Sequence, residues 1–97
     1  MAEGPDSQIV VPPAFVALFV PPGRIKPTEP WPHIAERHEF CEDLAQSLVE
    51  VTRNQRWSLG ITTEDVLERI ARGLAGLELS EGERGWVLGR LGELLDG

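Results

Sequence analysis

Between Pro12-Pro13 and Pro21-Pro22-Gly23 lies an unbroken apolar stretch, Ala14-Phe15-Val16-Ala17-Leu18-Phe19-Val20. The proline pairs constrain it more than its hydrophobicity does. Each proline fixes φ at about −65° and removes a backbone donor, so no regular element can run on through the second pair. The first pair suits the opening turn of a helix, where the missing N–H is not required. The spacing predicts a short helix from Pro13 to Val20, with a strand as the alternative because Val and Phe favour sheets. Such a run must be buried in the chain's own core or against something else. Phe15, Leu18 and Phe19 are the residues expected to carry that burial.

The rest of the chain reads as helix. Pro27, Pro30 and Pro32 make residues 21–32 an extended, stiff connector. Residues 32–57 place Ile34, Cys41, Leu44, Ala45, Leu48, Val51 and Thr52 on one face at helical period. Glu36, Glu39, Asp43, Gln46, Glu50 and Asn54 fall on the other. Ser58-Leu59-Gly60 marks the end of this helix, and Trp31 and Trp57 are expected to cap the core at its two ends. A third helix starts at Thr62 as N-cap, with Asp65 at the N3 position and Ile61 and Val66 as a hydrophobic staple. It is predicted to bury Val66, Leu67, Ile70 and Leu74 and to end near Gly76. A fourth opens on Ser80 and Glu83 in capping-box spacing and runs to Asp96, with Val87, Leu88, Leu91, Leu94 and Leu95 as its apolar stripe. The expected fold is all-α: three longer helices and one short apolar helix in a small bundle. Residues 1–8 read as a flexible tail and residues 9–97 as a single helical domain.

Charge narrows the partners. Asp+Glu number 16 against Lys+Arg 9, a net charge of −7, so phosphate backbones are repelled and direct nucleic-acid binding is not expected. The single cysteine, Cys41, fits a reducing cytoplasm. The N-terminus lacks the positive segment of a signal peptide, and the apolar run is too short to span a bilayer, so no membrane partner is expected.

Gly82, Gly85, Gly89 and Gly92 recur inside the fourth helix and form a narrow strip beside the Leu stripe. Each interior Gly costs roughly 0.5–1 kcal/mol relative to Ala. Three readings account for the strip: a groove filled by Phe15 or Phe19 of the same chain, a surface for close approach of a partner or second copy, or a fraying helix. Trp86 stands near the polar side, between Gly82 and Arg90. Gly85, Trp86 and Gly89, with Phe15, Leu18 and Phe19, are the candidate interface residues.

Catalytic and metal motifs are weak. His38-Glu39-Phe40-Cys41-Glu42 has Glu42 where the zinc-protease helix motif has its second His, and His33 and Cys41 lie close by in sequence. With no spaced second ligand pair, the residues read as a helix-surface pair and a buried small Cys. Ser7, Ser47, Ser58 and Ser80 lack a nucleophile-elbow context, and Glu42 and Asp43 disfavour a Cys41 thiolate. The only lysine, Lys26, lies in no phosphate loop. No catalytic, cofactor, metal or small-molecule site is expected.

The segment from Ile9 to Arg24, with His33-Ile34-Ala35-Glu36-Arg37 and Cys41-Glu42-Asp43-Leu44-Ala45, resembles a group of short, uncharacterised proteobacterial proteins often labelled "ATPase with chaperone activity". The resemblance implies a bacterial origin and, through the label, an ATP-linked chaperone role. The leading expectation from the residues is a non-enzymatic protein–protein interaction module, a small acidic adaptor or modulator, alone or as a homodimer. The alternative is an acidic protein that masks a basic, nucleic-acid-binding surface of a partner through Glu36, Glu39, Asp43 and Glu50.

Overall fold

A computed structural model describes residues 11–96, and their only regular elements are helical. The predicted tail, residues 1–8, lies outside them. The chain divides into two compact units, one ending at Phe40 and the other beginning at Cys41.

In the first unit Pro12 caps α1 (Pro13–Val16), and its carbonyl accepts from Phe15 N at 2.9 Å and Val16 N at 3.1 Å. The helix tightens at once into a 3₁₀ turn, Ala17–Phe19, and Val20 is extended. The predicted single helix from Pro13 to Val20 is thus realised as two short pieces that end at Phe19. The connector is not extended as expected. Pro21 O accepts from Arg24 N at 3.1 Å across Pro22-Gly23, and Gly23 has φ +81°. Pro at the second turn position and a positive-φ Gly at the third are what a type II turn demands. Thr28 then donates its N–H (2.8 Å) and its hydroxyl (3.2 Å) to Phe19 O and closes the loop. Phe15 and Ile34 are fully buried in this unit.

α2 (Trp31–Leu59) has 29 residues, about 43 Å of helix. Pro30 O accepts from His33 N and Ile34 N, so Pro32 again occupies the first turn, where it removes no needed donor. The helix stops at Gly60, whose φ of +65° is the left-handed cap glycine tolerates best. Of the expected apolar face, Ile34, Cys41, Ala45 and Thr52 are buried, and the Thr52 hydroxyl donates to Leu48 O at 2.8 Å. Val51 is exposed instead. Trp31 and Trp57 do not cap a core either: both are exposed, Trp57 at 89%. Helical period places a residue on a face, but only a neighbouring element decides whether that face is covered.

The second unit continues with α3 (Thr63–Leu74) and α4 (Glu81–Asp96), which pack on each other. The two side-chain caps are realised as read. Thr62 Oγ1 accepts from Asp65 N at 3.1 Å. Ser80 and Glu83 form a reciprocal box, with Glu83 N on Ser80 Oγ at 3.1 Å and Ser80 N on Glu83 Oε1 at 2.9 Å. Val66, Ile70 and Leu74 of α3 and Val87 and Leu91 of α4 are buried, joined by Leu79 from the connection between them. Each fully buried aliphatic side chain contributes about 1.5–3 kcal/mol. No helix among the described residues is long and apolar enough to cross a membrane.

Candidate functional site

The glycine strip is where α4 departs most from an ordinary packed helix. Gly85 and Gly89 are exposed, and each stands two positions before a buried residue, Val87 and Leu91. Two positions are about 200° of helix, so the glycines face away from the buried stripe rather than lying beside it. A Cβ built at Gly85, Gly89 or Gly92 would meet nothing within 4 Å. Among the described residues nothing fills the strip at these three glycines. None of the three glycines is there to relieve a close contact among the described residues, and none has the positive φ that would require glycine.

Trp86 is half-buried beside the strip. On its other flank Arg90 is fixed by two carboxylates. Its Nε donates to Glu42 Oε1 at 2.9 Å, its Nη2 to Glu42 Oε2 at 3.1 Å and its Nη1 to Glu93 Oε1 at 3.1 Å. Gln46 Nε2 donates to Glu42 Oε2 at 2.8 Å and completes the network. The hydrogen bonds to Glu42 and then to Glu93 raise the Arg90 pKa above its ordinary value. Fork-on-fork geometry of this kind fixes angle as well as distance. It ties α4 to α2 and holds the strip's edge in one place. Sequence reasoning missed this pair, since 48 residues separate the partners and no local pattern reports them.

The aromatic candidates sit in the first unit. Phe15 packs its ring 5.5 Å from Phe19 and 5.3 Å from His38, the latter edge-on. Phe19 in turn meets His33 edge-on at 6.4 Å. Phe15 is a core residue, Phe19 is half-buried, and Leu18 is exposed. The residues of the near-miss zinc motif are thus spread over different tasks. His33 faces Phe19 and lies 3.8 Å from Glu29, His38 abuts Phe15, Cys41 is buried, and Glu42 holds Arg90. Among the described residues no group of three His, Cys, Asp or Glu side chains is arranged to hold a metal. Glu36, Glu39, Asp43 and Glu50 are all exposed along α2.

Comparison with protein-family models, curated proteins and solved structures finds nothing that matches this chain.

Proposed function

We propose that this protein is a non-enzymatic interaction module that pairs through the open glycine face of α4, with a second copy of the chain as the occupant. The observation that carries the reading is the empty space over Gly85, Gly89 and Gly92. Each interior glycine costs its helix roughly 0.5–1 kcal/mol, and among the described residues no close approach at Gly85, Gly89 or Gly92 offsets that cost. A bare strip lets a second helix backbone come near, as small residues do at tight helix interfaces. A two-fold pair needs only one such patch, because both partners present the same surface. Trp86 supplies an aromatic rim of the type enriched at binding hot spots. Size-exclusion chromatography with light scattering tests the reading. A mass of twice 10.7 kDa supports it, and a monomer at high micromolar concentration removes it.

A second reading draws on the exposed carboxylates Glu36, Glu39, Asp43 and Glu50. These could occupy a basic surface of another protein. Retention on a polylysine support that falls as salt rises is the outcome this reading requires, since exposed charge pairs are screened beyond about 10 Å at 0.1 M salt. Retention insensitive to salt removes it.

A further inference from the structure

We draw no further inference here: the strongest candidate, the surface patch at the C-terminal end of α2 where the exposed Trp57 lines a shallow hollow with Arg53, Arg56 and Ile61, carries none because nothing in the structure shows what covers it.

Discussion

Arg90 and Glu42 meet fork to fork, Nε to Oε1 at 2.9 Å and Nη2 to Oε2 at 3.1 Å, and so clasp α4 to α2 across 48 residues of sequence. Their side chains are 34% and 24% exposed, so the pair is partly shielded from water but still open to screening. A double-mutant cycle with Arg90→Gln and Glu42→Gln, read by urea unfolding, should give a coupling of roughly 0.5–1.5 kcal/mol. Because the folded pKa of Arg90 is raised, its share of stability is complete below the unfolded arginine pKa and is lost only as pH climbs through the folded value. The coupling should therefore be flat from pH 7 to about pH 10. A coupling near zero, or one that fades in this range, contradicts the clasp.

The reciprocal bonds of Ser80 and Glu83 open α4 and the single bond of Thr62 opens α3. Ser80→Ala and Thr62→Ala should each cost about 1 kcal/mol in chemical unfolding. Glu83→Ala should cost at least as much as Ser80→Ala, since Glu83 is buried and its carboxylate holds Ser80 N. Unchanged midpoints would show that these caps are not formed in solution.

These starts were readable from the sequence because a cap is a local device: donor and acceptor lie three residues apart and the residue types announce it. The apolar stripes of α3 and α4 were readable for the same reason. What faces a stripe is not local. Val51 and Trp57 have the right period or position to be inside and are exposed, since among the described residues no element covers that part of α2. The strip of glycines was visible as a pattern, and the helical angle from Val87 and Leu91, both in the predicted stripe, already sets Gly85 and Gly89 opposite that stripe rather than beside it. Glu42 was read only with its helical neighbours, because its bond to Arg90 joins residues distant in sequence.

Phe15 and Trp57 make opposite predictions for residues of similar hydrophobicity. Phe15 is fully buried against Phe19 and His38, so Phe15→Ala should destabilise by about 3–5 kcal/mol. Trp57 stands almost entirely in solvent, and Trp57→Ala should change stability by no more than about 0.5 kcal/mol. Thermal unfolding of the two variants checks both. A large loss at Trp57 would mean that this ring is packed after all.

The glycine face makes the most direct demand. Gly85→Ala and Gly89→Ala have room for the added methyl, so each should stabilise the chain by roughly 0.5–1 kcal/mol. Gly89→Leu should keep the fold but block close approach of a second helix. The deciding measurement is the mass of wild type and Gly89→Leu by light scattering at equal, high micromolar concentration. Pairing through α4 requires a dimer for wild type and a folded monomer for Gly89→Leu. A monomeric wild type, or a dimer that persists unchanged in Gly89→Leu, contradicts it.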